Sequence, residues 1–200
     1  MKAVRVIADA KLSWDDMPTP APAAGEVLIK VQATAINRAD LMQRMGLYPP
    51  PPGASDVMGL ECAGTIAAVG DGVTRWKEGD EVCALLSGGG YAQFAVAPEG
   101  SVLPVPQGLT MAHAACLPEV FATAYLNMYI EANLQPGEKV ILHAGASGVG
   151  TAGIQLAKAF GNPSFVTAGG DDKIQACVDL GAEAGANRKT ERFLEKASTF

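Results

Sequence analysis

With 200 residues, 48% of them hydrophobic and 18% charged, the chain is long enough for one large domain or two small ones, and its composition is that of a soluble globular protein. The 15 Lys and Arg against 21 Asp and Glu leave a net charge of −6. No basic run or basic helical face appears, which argues against nucleic acid or an anionic membrane as the main partner. Any phosphate site must therefore be local. Cys62, Cys83, Cys116 and Cys177 are scattered without a C-x-x-C pair, so neither a zinc ribbon nor a disulfide framework is indicated, and all four read as reduced core thiols. The opening MKAVRVIADA is too short an apolar run for a signal peptide and no later run approaches a membrane span, so a cytoplasmic protein is expected.

From Met1 to about Pro106, short apolar runs predict strands at residues 3–7, 26–33, 64–69, 81–86 and 92–97. Turn clusters such as Gly70-Asp71-Gly72 separate them, the pattern of a small barrel-like or sandwich module. YPPPPG, residues 48–53, removes backbone donors and fixes φ, so it reads as a stiff extended loop. Residues 111–117 and 119–131 look helical. A boundary near residue 120 divides the chain into domains 1–120 and 121–200, and no internal repeat is evident.

The most informative stretch is residues 134–160, LQPGEKVILHAGASGVGTAGIQLAKAF. Val140, Ile141 and Leu142 follow Pro136-Gly137 turn chemistry and read as a strand buried on both faces. Gly145, Ser147, Gly148 and Gly150 predict a loop whose small side chains let backbone N–H groups approach an anion, with a helix from Thr151 to Phe160 behind it. A second strand at 164–168 and a helix at 171–180 follow at crossover spacing, which points to a dinucleotide-binding βαβ unit although Ser147 replaces the middle glycine of G-x-G-x-x-G. About 20 residues beyond the glycines an NAD-specific site places a carboxylate; Ala168-Gly169-Gly170 offers none.

The strings AINRADLMQRMGLYPPPPGAS (35–55), GLECAG (59–64), WKEGDEVCALLSGGGYAQF (76–94), LPEVFATAY (117–125) and HAGASGVGTAGIQLAK (143–158) cover most of the chain in order. Through them the sequence resembles the zinc-independent quinone oxidoreductases of the medium-chain dehydrogenase/reductase superfamily, in particular the p53-inducible type. The resemblance implies an α/β protein with a GroES-like, β-rich catalytic domain followed by a Rossmann domain, NADPH as hydride donor, and quinones or related electrophilic carbonyl compounds as acceptors. Zinc-dependent relatives carry Cys-His where Asn37-Arg38 stands and His where Leu60 stands, so no catalytic zinc is expected.

Tyr48 is the first candidate for a polar contact to the acceptor, with Asn37 and Asp40 beside it, although Tyr48 could equally cap the proline loop, Asn37 satisfy a strand end, and Asp40 N-cap a helix starting at Leu41. For the cofactor the resemblance implies Thr123 near the nicotinamide, Gly145, Ser147, Gly148 and Val149 at the pyrophosphate, and Gly170, Lys173 and Arg188 at a 2′-phosphate. Asp171 and Asp172 would repel that phosphate, unless they serve the start of the following helix. His143 ends the predicted strand, and His113 lies in a predicted helix away from the matched site positions.

Against the family's six-stranded cofactor sheet, in strand order 3-2-1-4-5-6, the residues up to 187 supply half, and the first strand is expected to lie at a sheet edge. Two readings follow, a working NADPH-dependent quinone reductase and a truncated nucleotide- or partner-binding protein. A homodimer is expected only where the cofactor domain is complete.

Overall fold

The computed structural model describes residues 1–200 and divides the chain into two compact units, Met1–Glu119 and Val120–Phe200.

In the first unit, β3 (Glu26–Thr34), β4 (Glu61–Val69), β5 (Glu81–Leu85), β6 (Phe94–Pro98) and β7 (Val102–Pro104) form an antiparallel sheet in the order β6-β3-β4-β5-β7. Alternation along these strands sends Val27, Ile29, Ile66, Val82 and Val102 into one core, each at most 2% exposed. Full burial of each is worth about 1.5–3 kcal/mol. Register shifts interrupt β3–β4 pairing at Leu28/Ile29 and Val31/Ala33, and such irregularities increase local bend and twist.

Ahead of this sheet, β1 (Lys2–Ile7) and β2 (Lys11–Asp16) pair as an antiparallel hairpin from Lys2↔Asp16 to Ile7↔Lys11. β2 is absent from the sequence reading because KLSWDD is mostly exposed, and its turn carries neither glycine nor asparagine: Asp9 and Ala10 take the left-handed region at φ 59° and 54°. β4 starts at Glu61, three residues ahead of the expected Gly64, since Glu61, Cys62 and Ala63 already pair with β5. β6 starts later than expected because Ala92 makes an isolated bridge to Ala3.

α1 (Arg38–Arg44) follows β3. After β7, α2 (Met111–Ala114) ends before the expected residue 117, close to Pro118, which opens α3 (Pro118–Tyr125). The expected single helix over 119–131 is instead α3 continued by a π-helical segment, Leu126–Glu131.

In the second unit, β8 (Val140–His143), β9 (Ser164–Ala168) and β10 (Ala184–Asn187) form a parallel sheet in the order β10-β9-β8. Helices α4 (Gly148–Phe160) and α5 (Asp171–Leu180) make the two crossovers, and α6 (Phe193–Ala197) follows β10. Leu142, Ile154, Val166 and Cys177 pack together between sheet and helices, while Ala124, Met128, Ala152 and Ala157 form a neighbouring cluster. α4 stops at Gly161, which takes φ 74° as the left-handed cap.

β8 lies at the sheet edge, as expected, but it is not buried on both faces: Ile141 is 44% exposed. Its alternate residues, Val140 and Leu142, face the helices, leaving Ile141 and His143 on the other side. Cys116 departs from the expected buried thiols, being exposed with its Sγ donating to Ala112 O; Cys62, Cys83 and Cys177 are buried. Burial pushes the Cys62 thiol up to about 12, consistent with an inert core residue.

Candidate functional site

In the first unit, Asn37, Asp40, Glu61 and Tyr91 form one polar cluster. Asn37 occupies the N-cap of α1, so the helix begins at Arg38 and Asp40 is not its cap. Asp40 sits one turn in and reaches back, its Oδ2 accepting the Asn37 N–H at 2.7 Å, the acidic arm of a capping box. The same oxygen accepts the Tyr91 hydroxyl at 2.8 Å. Asp40 is 2% exposed and its Oδ1 is buried without a partner.

The Asn37 side chain bonds elsewhere: its Nδ2 donates to Glu61 Oε1 at 2.7 Å, and Glu61 Oε2 accepts the Glu119 N–H at 2.9 Å. Glu61 is 1% exposed. Burial raises its pKa, against the lowering effect of these two bonds, and the nearby Asp40 charge raises it further. The Tyr91 hydroxyl is pushed well above the ordinary phenol range, first by burial and then by its bond to Asp40. A phenol held so high donates a hydrogen bond and does not ionise near neutrality.

Glycine geometry sets this cluster. Gly59 has φ +102°, and a Cβ there would lie 2.6 Å from the Tyr91 backbone nitrogen. Any side chain at residue 59 would displace Tyr91. Tyr91 and Asp40 also line an apolar groove of about 680 Å³ with Trp14, Val31, Ile36 and Leu41.

Tyr48 stands apart from these hydrogen bonds. It is 43% exposed in the proline loop, so the structure joins Asn37 to Asp40 but not to Tyr48. Glu61 and Tyr91 are missed by the sequence reading. A carboxylate opening the apolar run ECAG was the available signal for Glu61; Tyr91 had none. No group of three or more His, Cys, Asp or Glu side chains could hold a metal ion.

In the second unit, the glycine corner differs from the expected loop in one respect. Ser147 is the N-cap of α4, its Oγ accepting the Gly150 N–H at 3.1 Å, so Gly148 and Gly150 lie inside the helix's first turn. The helix starts three residues ahead of Thr151 because Ser147 supplies the cap. Gly150 packs against the turn beneath it: a Cβ would lie 2.5 Å from Ala144 O and 2.6 Å from Gly145 O. Gly145 approaches β9 as closely, its Cβ position 2.7 Å from Val166 Cβ. The Gly148 and Val149 N–H groups, in the first turn of α4, have no intrahelical partner and form part of the helix's positive end.

Beside this corner a cavity of about 280 Å³ is lined by Ala144, Ser147, Gly169, Lys173, Arg188 and Lys189. The structure thus brings together Ser147, Lys173 and Arg188 and adds Lys189, which the sequence reading passed over although it directly follows Arg188. Both side chains bend over Gly169, with Arg188 Nε and Lys189 Cε each 3.6 Å from the position of a Cβ there. Asp171 and Asp172 are in the first turn of α5, whose N-cap is Gly170, and neither lines the cavity.

Thr123 is half-buried in α3, its carbonyl accepting from Asn127 Nδ2. His143 Nδ1 lies 3.0 Å from Thr167 Oγ1 and its ring packs edge-on against Phe193, while His113 Nδ1 lies 3.2 Å from Thr110 Oγ1. Both histidines therefore have local structural partners.

A curled antiparallel unit followed by a glycine-cornered parallel βαβαβ unit is the architecture of the medium-chain dehydrogenases and reductases. Residues 23–107 match the alcohol dehydrogenase GroES-like domain. The chain is 33% identical over its full length to a quinone oxidoreductase of Rattus norvegicus, of which it covers 62%. Among solved structures it resembles the Escherichia coli quinone oxidoreductase complexed with NADPH, with a TM-score of 0.85 and 28% identity over 99% of this chain and 61% of that one. It also resembles an NAD-dependent alcohol dehydrogenase, with a TM-score of 0.87 and 30% identity over 100% and 67%. The chain belongs to the medium-chain dehydrogenase/reductase superfamily, and the curated proteins it resembles include quinone oxidoreductases. It spans about three fifths of the length of the curated relatives it matches, 62% and 61%.

Proposed function

We propose that the protein reduces quinones or related small electrophilic carbonyl compounds with NADPH, by hydride transfer and without zinc. The observation that carries this reading is the cavity where Ser147, Lys173, Arg188 and Lys189 converge with no carboxylate on its wall. Such a site suits a 2′-phosphate dianion and leaves a 2′-hydroxyl without the carboxylate acceptor that NAD sites provide. The family membership supports the same reading.

The residues present fit this cofactor. The Gly148 and Val149 N–H groups would hold the pyrophosphate, with Gly145 and Gly150 keeping the corner free of side chains, and Lys173, Arg188 and Lys189 would hold the 2′-phosphate. Thr123 and Gly170 keep the supporting roles that the resemblance implies. Bound there, the nicotinamide supplies the hydride.

In the first unit, Asn37, Arg38 and Leu60 offer no zinc ligand, so acceptor polarisation falls to hydrogen-bond donors. Tyr48 is the proposed donor to the acceptor oxygen, since its exposure leaves the phenol open to a ligand. We assign Asn37 and Asp40 to the rigid support of α1 rather than to proton transfer, Asn37 Nδ2 being engaged with Glu61 and Asp40 Oδ2 with Tyr91.

The test is NADPH oxidation with 1,4-benzoquinone, followed by absorbance, for the native sequence and Tyr48→Phe. Turnover with a KM raised about three- to tenfold in the variant and unchanged thermal stability is expected. NADPH binding without turnover would leave a nucleotide-binding protein and overturn the enzymatic reading for this chain.

A further inference from the structure

The loop after β10 carries Arg188 and Lys189, while α5, which follows β9, opens with Asp171 and Asp172. Carboxylates this close to a basic cavity would ordinarily cancel much of its attraction for an anion. Asn187 keeps them apart. It is 6% exposed at the end of β10, and its polar groups are divided between the two sides.

Asn187 Nδ2 donates to Asp171 Oδ1 at 2.7 Å, and Asn187 Oδ1 accepts the Lys189 N–H at 3.1 Å. Its own N–H donates to Glu191 Oε2 at 2.8 Å, and Glu191 is in turn paired with Lys196. The Arg188 N–H donates to Ala168 O at 2.9 Å, seating the loop on the end of β9. One neutral amide therefore holds the Asp171 carboxylate on the α5 side and the Lys189 backbone on the cavity side. Asp172 Oδ1 lies 2.5 Å from the position a Cβ on Gly170 would take, and Asp172 does not line the cavity. The cavity wall is left with Lys173, Arg188 and Lys189 and no acidic group.

We infer that Asn187 is the positioning residue that sets discrimination between a 2′-phosphorylated and a 2′-hydroxyl nucleotide, by restraining Asp171 and fixing Lys189. The inference rests on the cofactor reading above and adds to it a residue that never touches the nucleotide. Only an uncharged side chain with both a donor and an acceptor fills this role: an acidic residue at 187 would repel Asp171, and alanine would release both partners.

The probes are 2′,5′-ADP and 5′-AMP, titrated calorimetrically onto the 200-residue chain. The native sequence is expected to bind 2′,5′-ADP at least about tenfold more tightly than 5′-AMP. In Asn187→Ala the ratio should fall below about threefold, with 5′-AMP affinity held within about twofold. Adding Asp171→Asn to that variant should restore the ratio to above about fivefold, a rescue that a merely structural role for Asn187 would not give. Absence of preference in the native chain would sink the cofactor reading itself. A native preference that survives Asn187→Ala would overturn the inference and leave that reading intact. Should Asn187→Ala lose 5′-AMP binding and its melting transition together, Asp171→Asn alone decides. An unchanged ratio means the carboxylate was already held away, and a rise of more than about threefold means it faced the phosphate and the inference fails.

Discussion

The side-chain amide of Asn37 donates to Glu61 Oε1 at 2.7 Å, joining the N-cap of α1 to the first residue of β4 through a carboxylate that is almost wholly buried. Burial raises the pKa of Glu61 above its ordinary value of 4.5. A carboxyl whose folded pKa is raised stabilises the fold fully below its unfolded pKa and loses that contribution as pH climbs through the folded value. The difference in unfolding free energy between the native chain and Glu61→Gln should therefore shrink as pH rises from 4 to 7. Urea denaturation across that range checks it; a difference that grows with pH would show a depressed Glu61.

Tyr91 and Asp40 form the second contact of the cluster. Tyr91→Phe removes the hydroxyl that Asp40 Oδ2 accepts at 2.8 Å, in a residue whose Oδ1 is already without a partner. A loss of about 1–3 kcal/mol is expected, as for a buried carboxylate that loses one of its two donors and keeps only the Asn37 N–H, and the urea midpoint should fall with an unchanged m-value. A variant as stable as the native chain would mean that water satisfies Asp40 instead.

Gly148 and Gly150 stand two residues apart in the first turn of α4 and should respond oppositely to alanine. At Gly150 a Cβ would meet two backbone carbonyl oxygens at 2.5 and 2.6 Å, neither of which can move without shifting the corner. Gly150→Ala should cost at least about 2 kcal/mol and weaken nucleotide binding about tenfold or more. At Gly148 the nearest neighbour is the Val120 Cγ1 atom at 3.1 Å, a methyl that a small shift relieves. Gly148→Ala should melt within a few degrees of the native chain, helped by about 0.5–1 kcal/mol of helix propensity. Thermal unfolding of the pair separates the two cases.

Local signals made the second unit largely legible. The apolar run before the glycine corner, the crossover spacing and the helix over residues 171–180 all rest on neighbours in sequence, and α5 spans the expected residues. Ser147 as cap and Gly148 as helix were misjudged because glycine reads as loop, while the Ser147 Oγ bond to the Gly150 N–H outweighs that tendency. The polar cluster of the first unit was less accessible. Asp40 meets Tyr91 across 51 positions and Asn37 meets Glu61 across 24, and no periodicity records such pairs. Exposed β2 fell below detection for a related reason: pairing with β1, and not burial, holds it in place.

The central claim is that the basic cavity beside the glycine corner receives a 2′-phosphate. A fluorescence titration of the chain with NADPH and NADH, repeated on Lys173→Ala, tests it most directly. NADPH should bind about tenfold or more tightly than NADH, and the substitution should narrow that gap severalfold while leaving NADH affinity unchanged. Equal affinities in the native chain, untouched by Lys173→Ala, would contradict the assignment of that cavity.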